Sequence, residues 1–128
     1  MPDWMWLRKE ALTAIHAEQL AEHGGSAGVR DAGLLDGTLS RPENLAADGE
    51  PDVFDLAAAY AFGIVKNRSF IDGNMRAGFM AAATFLALNG QSLEASDIDA
   101  VTAVLALASS AMSEAAFADW LRKNARPL

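Results

Sequence analysis

The stretch Asn74-Met75-Arg76-Ala77-Gly78-Phe79-Met80-Ala81-Ala82-Ala83-Thr84-Phe85-Leu86-Ala87-Leu88 decides the fold. It has helix-forming composition and apolar side chains almost all the way round, from Gly78, Phe79 and Met80 through Ala82, Ala83, Phe85 and Leu86. A helix without a polar face is normally the buried centre of its domain. At about fifteen residues, and running straight into Asn89-Gly90, it is too short to span a bilayer. The remaining segments must therefore pack around it.

Working outward, five further helices separate on pattern and punctuation. Asp52 or Pro51 opens a helix through about Lys66, with Leu56, Tyr60, Gly63 and Ile64 facing inward. Upstream, a first helix runs from about Asp3 to His23, closed by Gly24-Gly25. Asp31 caps a second through Leu39, stopped by Pro42. The prolines and Gly49 of Ser40–Pro51 read as a short flap. Downstream, Ser96 with Asp97 and Asp99 caps a fifth helix to about Ser109. Ser113-Glu114 begins a sixth that carries Phe117, Trp120 and Leu121 and ends in Arg122-Lys123, where cations suit the helix dipole. The expected fold class is all-α: one compact domain over residues 1–128, about six helices around a buried centre.

Composition narrows the function. Half the chain is hydrophobic (52%), too apolar for disorder, and sparse β-branched residues argue against a large sheet. Ten Lys and Arg against seventeen Asp and Glu give a net charge of −7. Direct nucleic-acid binding, which needs a basic face, is not expected. No cysteine is present, which excludes disulfides, thiolate metal sites and cysteine nucleophiles. Met1-Pro2-Asp3-Trp4 lacks the regions of a signal peptide, so the expectation is cytoplasmic, with no membrane partner.

Chemistry concentrates in the loop between the third and fourth helices, Asn67-Arg68-Ser69-Phe70-Ile71-Asp72-Gly73, and in the turn after it, Asn74-Met75-Arg76. Gly73 frees the backbone to turn, and the N–H groups opening the fourth helix form a ready anion site. Asp72 is placed to hold a divalent cation such as magnesium beside phosphates. Arg76, in the first turn, can fork onto phosphate oxygens. Phe70 and Ile71 are expected to plug into the core. A plainer reading stands beside this one: Asp-Gly-Asn is a common turn sequence, Asp72 can cap a helix, and Arg76 can be a solvated charge.

Phe70-Ile71-Asp72-Gly73-Asn74 followed by Arg76 resembles the signature of the Fic/Doc family, in the form of its Doc (death-on-curing) toxin branch. The resemblance extends along nearly the whole chain. It takes in Ile15-His16, His23-Gly24-Gly25, Val29-Arg30-Asp31, Gly33-Leu34-Leu35, Arg41-Pro42, Leu56–Tyr60, Phe85–Gly90 and Trp120-Leu121. It implies a toxin of a toxin–antitoxin system, whose Phd-type antitoxin folds a segment along a groove of the toxin. Members transfer AMP or, in Doc, the γ-phosphate from ATP with Mg2+ to a protein hydroxyl, on elongation factor Tu for Doc. Carried over by position, Asp72 holds magnesium and Asp72 and Asn74 belong to the catalytic set. Gly73, Asn74, Met75 and Arg76 form the nucleotide-binding turn.

Four positions depart from the pattern. Arg68 stands where the family has its catalytic histidine, Ser69 where it has proline, Met75 where Doc has lysine and Ala77 where Doc has threonine. A guanidinium offers no lone pair to an incoming proton, so Arg68 cannot act as the base. A positioned base contributes about 10²–10⁴-fold, so its loss alone would impair transfer. Three readings follow: an impaired Doc-like protein that keeps its anion site, a working transferase using another base, or an interaction module binding an antitoxin helix.

Other residues invite a role. His16 has no partner at convincing metal spacing and reads as a structural histidine bonded across to a neighbouring helix or loop. His23 sits where a helix C-terminus favours it. Glu43, Glu50 and Asp52 are alternative bases or a solvated flap edge. Trp4 and Trp6 cannot both face the core from one helix; one sits at an interface or lies partly buried under the last helix.

Overall fold

The computed structural model describes residues 3–128; Met1 and Pro2, part of the stretch read for a signal peptide, lie outside it. Six helices follow in order, α1 (Lys9–His23), α2 (Ala32–Asp48), α3 (Val53–Asn67), α4 (Asn74–Leu88), α5 (Asp97–Ala108) and α6 (Glu114–Lys123). Two three-residue strands, β1 (Gln91–Leu93) and β2 (Ala125–Pro127), pair antiparallel with Ser92 opposite Arg126. They tie Ala125–Pro127 to the exit of α4, and at three residues each they are too short to show an alternating pattern along the chain. No helix among the described residues is long and apolar enough to cross a membrane.

The bundle is organised by α3 as much as by α4. Leu56 through Ala61 of α3 are all buried, as are Gly63, Ile64 and Val65. Phe79 and Met80 of α4 are only half-buried, so the more completely enclosed helix is α3. Small side chains let the two approach closely. A Cβ on Gly78 would stand 2.7 Å from Val65 Cγ2 and 3.3 Å from the Ala61 carbonyl oxygen, so only glycine fits there. The start of α3 is fixed by a capping box in which Asp52 and Asp55 each accept the other's backbone N–H, at 2.8 and 3.0 Å.

Two boundaries differ from the sequence reading, each for a visible reason. α1 starts at Lys9, because upstream backbone groups are bonded sideways. Met5 N–H donates to Asn89 Oδ1 (2.9 Å), Asn89 Nδ2 donates to the Met5 carbonyl (3.1 Å), and Leu7 N–H donates to Tyr60 Oη (3.1 Å). Trp4 and Trp6 are therefore not on a helix. Both are half-buried against Phe85 of α4, with centroids 6.4 and 5.9 Å away, rather than under α6. The second difference is Pro42, which lies inside α2 instead of ending it. Leu35, Thr38, Pro42 and Leu45 continue one helical stripe, and burial of that stripe outweighs the bond that proline cannot make. The flap between α2 and α3 shrinks to the few residues from Gly49 to Asp52.

Candidate functional site

The α3–α4 loop is held from two sides. α3 ends at Arg68, whose left-handed backbone (φ 51°, ψ 52°) turns the chain while its N–H still donates to the Ile64 carbonyl. Left-handed geometry costs a non-glycine residue about 1 kcal/mol, and an outside brace offsets it. Arg30 supplies that brace, with Nε donating to the Arg68 carbonyl and Nη2 to the Asn67 carbonyl, both at 2.6 Å. Beside it, Arg30 and Asp31 N–H donate to the Ser69 carbonyl and Ile71 N–H donates to the Gly28 carbonyl. This antiparallel bridge of Val29 with Phe70 makes the loop extended at that point.

An extended segment sends alternate side chains to opposite sides. Phe70 is buried, whereas Ile71, expected in the core, points outward and is 52% exposed beside Gly28. Ser69 is wholly enclosed, and its hydroxyl has no hydrogen-bond partner among the described residues.

From the other side, α1 contributes His16. Its ring is 4% exposed and stacks on Phe70 with centroids 3.8 Å apart and planes 9° from parallel. Its Nε2 lies 2.7 Å from the Asp72 carbonyl oxygen, which can only accept, so that nitrogen carries the proton. The structural role read from the sequence stands: His16 is buried, stacked on Phe70 and bonded across to the loop. His23 ends α1 as an exposed residue near Glu22.

The turn itself is closed by three adjoining residues. The Asp72 carboxylate accepts the N–H of Gly73 (3.0 Å) and of Ser26 (3.3 Å). Gly73 is left-handed (φ 74°) and sits over Leu20 and His16; a side chain there would meet them at ordinary contact distance but would be strained by the backbone. Asn74 is buried, and its amide grips the Phe70 backbone from both ends. Oδ1 accepts the Phe70 N–H at 3.1 Å, and Nδ2 donates to the Phe70 carbonyl at 2.9 Å. Its side chain thus shapes the loop, with both of its polar atoms engaged by the Phe70 backbone.

What faces outward is simple. The first intrahelical bond of α4 runs from Ala77 N–H to the Gly73 carbonyl, leaving the N–H groups of Asn74, Met75 and Arg76 at the open end of the helix. Arg68 and Arg76 are exposed, and neither forms an ion pair or side-chain hydrogen bond among the described residues. Met75 is 43% exposed. Asp72 is the loop's single carboxylate, and the described residues contain no group of three or more His, Asp or Glu suited to a metal. Glu43 and Glu50 line a separate cleft with Trp4 and Trp6, and Asp52 caps α3. The loop thus gathers Arg68, Asp72, Gly73, Met75 and Arg76 on its surface. The residues that hold it there include Arg30, which sequence reasoning noted only as part of a matching tripeptide.

The site is therefore a braced turn that opens a buried helix, with free N–H groups and two guanidinium groups around it, an arrangement whose charge can suit an anion. Comparison with known proteins sharpens this. Residues 6–86 match the sequence model of the Fic/DOC family, and the chain belongs to that family. It is 42% identical over 79 residues to "Toxin Doc" of Mycolicibacterium smegmatis (strain ATCC 700084 / mc(2)155), covering 59% of this chain and 61% of that protein. It is 28% identical over 116 residues to "Protein kinase doc" of Escherichia phage P1, covering 89% and 90% of the two chains.

Proposed function

We propose that this protein is a Doc-type toxin of a toxin–antitoxin system whose loop binds the phosphates of ATP with Mg2+ and whose phosphoryl transfer is impaired. The carrying observation is the pairing of an intact cradle with a missing base. The open N–H groups of Asn74, Met75 and Arg76, with the Arg68 and Arg76 guanidinium groups, suit phosphate oxygens. The imidazole that the family pattern would put at this loop is missing: Arg68 has no lone pair for the proton, His16 is buried under Phe70 and bonded to the Asp72 carbonyl, and the Asp72 carboxylate is assigned to magnesium in this reading.

Magnesium fits this donor set in one way only. It keeps several waters, takes phosphate oxygens and needs one or two carboxylates, which is what Asp72 offers from an exposed position. When bound, the metal would neutralise charge on the phosphates. The chain's own part is to orient them: Arg30, His16 and Asn74 fix the turn, and Gly73 lets the backbone come close. The target in this reading is a protein hydroxyl, on elongation factor Tu or another protein, and the partner is a Phd-type antitoxin.

A second reading has one observation in its favour. Both Asp72 carboxylate oxygens already accept backbone N–H groups, as expected of a turn cap in a binding module that holds an antitoxin helix and no nucleotide. Calorimetric titration of ATP with magnesium separates the two, because absence of heat at millimolar ligand removes the nucleotide reading. Expression without an antitoxin then tests activity. The parent chain is expected to be harmless, and Arg68→His combined with Met75→Lys is expected to arrest growth and to move γ-label from ATP to elongation factor Tu. A parent chain that arrests growth would overturn the impairment. A double variant that binds ATP yet stays inert would overturn the assignment of the lost step to these two positions.

A further inference from the structure

The N-terminal segment, the second half of α2 and the Gly49–Pro51 link enclose an open cleft of about 690 Å³ that shares no residue with the loop. Trp4 and Trp6 form one wall, their rings propped against Phe85 so that each keeps an accessible face. Asp3, Glu43 and Glu50 form the rim, and no Lys or Arg lines the cleft. Among the described residues none of these three carboxylates is in an ion pair, although the chain pairs acids elsewhere, as in Arg41 with Glu114 and Arg122 with Asp52. Across Glu50 and Pro51 a second cleft of about 460 Å³ continues the depression, with Asp55 and Glu114 on its lining.

Concave surfaces lined by one sign of charge concentrate the field and attract the opposite sign. Tryptophan faces attract Lys and Arg and also supply the large apolar contact that anchors interfaces. Two clefts sharing one ridge exceed what a single small cation would fill, and they suit a length of polypeptide. We propose that this acidic, tryptophan-walled cleft docks a basic, amphipathic segment of a partner protein. Its apolar side chains lie on Trp4 and Trp6, and its Lys or Arg side chains meet Asp3, Glu43 and Glu50. The cleft's chemistry is independent of what the loop binds.

The test uses the whole chain and two short synthetic amphipathic peptides, one of leucine and lysine and one of leucine and glutamate, followed by calorimetry and tryptophan fluorescence. The Leu/Lys peptide is expected to bind and to shift the emission. Glu43→Gln with Glu50→Gln should weaken it by about fivefold or more, because each removes an exposed charge that faces the peptide's cations. Asp97→Asn with Asp99→Asn on α5 removes the same formal charge elsewhere and should leave affinity unchanged. Unaltered circular dichroism confirms that each variant is folded. Four results would each overturn the proposal: no binding of the Leu/Lys peptide at millimolar concentration, equal loss in the α5 variant, comparable binding of the Leu/Glu peptide, or a self-associated chain that the Glu43/Glu50 variant returns to monomer. The last would make a second copy the occupant.

Discussion

Replacing Asn74 with alanine tests whether the loop's shape is held by one side chain. The substitution removes both hydrogen bonds to Phe70, whose backbone lies under a side chain that is 1% exposed. Each buried backbone group left without a partner costs about 1–3 kcal/mol. Alanine returns about 0.5 kcal/mol of helix propensity, and water entering the vacated space satisfies part of the loss. The expected net destabilisation is about 2–3 kcal/mol, a large share of the 5–15 kcal/mol typical of a domain. Asn74→Asp keeps an acceptor for the Phe70 N–H and places a negative charge at a helix N-terminus, but it loses the donor to the Phe70 carbonyl. It also sets a carboxylate oxygen against the Phe70 carbonyl oxygen at a buried position, so at neutral pH it should cost at least as much as alanine. Urea unfolding followed by circular dichroism reads the midpoints, with the slope unchanged if the compactness of the two states is unchanged. Amide exchange at Phe70 reads the loop directly and should accelerate in Asn74→Ala. A midpoint within about 0.5 kcal/mol of the parent, together with a still-protected Phe70 amide, would refute the reasoning.

Three further expectations follow from single contacts. Ser69 carries a buried hydroxyl with no partner among the described residues, so Ser69→Ala should raise stability by about 1 kcal/mol in urea unfolding, and a loss of that size would mean the hydroxyl is satisfied. Tyr60 is the chain's only tyrosine, and burial, with Glu43 nearby, pushes its hydroxyl up to about 12. Its phenolate absorbance should therefore appear near pH 12 in the native protein. The stability this group lends, complete below its ordinary value of 10.0, should drain away as pH rises towards 12; native titration at the ordinary value would contradict the burial. Partial burial alone would raise Asp52, but the Asp55 N–H and the Arg122 guanidinium outweigh it and hold it below its ordinary 3.8. Asp52→Asn keeps the cap, so at neutral pH it should cost under about 1 kcal/mol for this half-exposed pair, and the difference should vanish as pH falls through the lowered value. A difference that grows in acid would reverse the sign of that linkage.

The helices were legible because their punctuation is local. Ser96, Ser113 and Asp52 each cap a helix where the sequence places them, and Asn74–Leu88 runs between its expected ends. The errors arise where a distant group intervenes. Pro42 continues α2 because α3 buries its stripe, and residues 3–8 stay out of α1 because Asn89 and Tyr60 take their backbone bonds. Ile71 was misplaced for the same reason, since its direction is set by pairing with Gly28 some forty residues upstream. Pattern along the chain does not carry such contacts, and the brace by Arg30 could not be read from it.

The same division separates the residues that shape the turn from those that face outward. The groups that shape the turn are His16, Arg30, Phe70, Gly73 and Asn74, and all act inward or on the backbone. The positions that depart from the family pattern at the surface, Arg68 and Met75, act through exposed side chains that hold nothing in place. Arg68 braces the turn through its backbone alone, its carbonyl accepting from Arg30 and its N–H donating to the Ile64 carbonyl. Substitution at these two positions therefore alters what the loop can do to a ligand at little cost to the fold. Substitution at Asn74 or Gly73 would do the reverse and remove the loop before it changed the chemistry. Family membership can thus be read from the residues facing in, while activity depends on residues that the fold does not constrain.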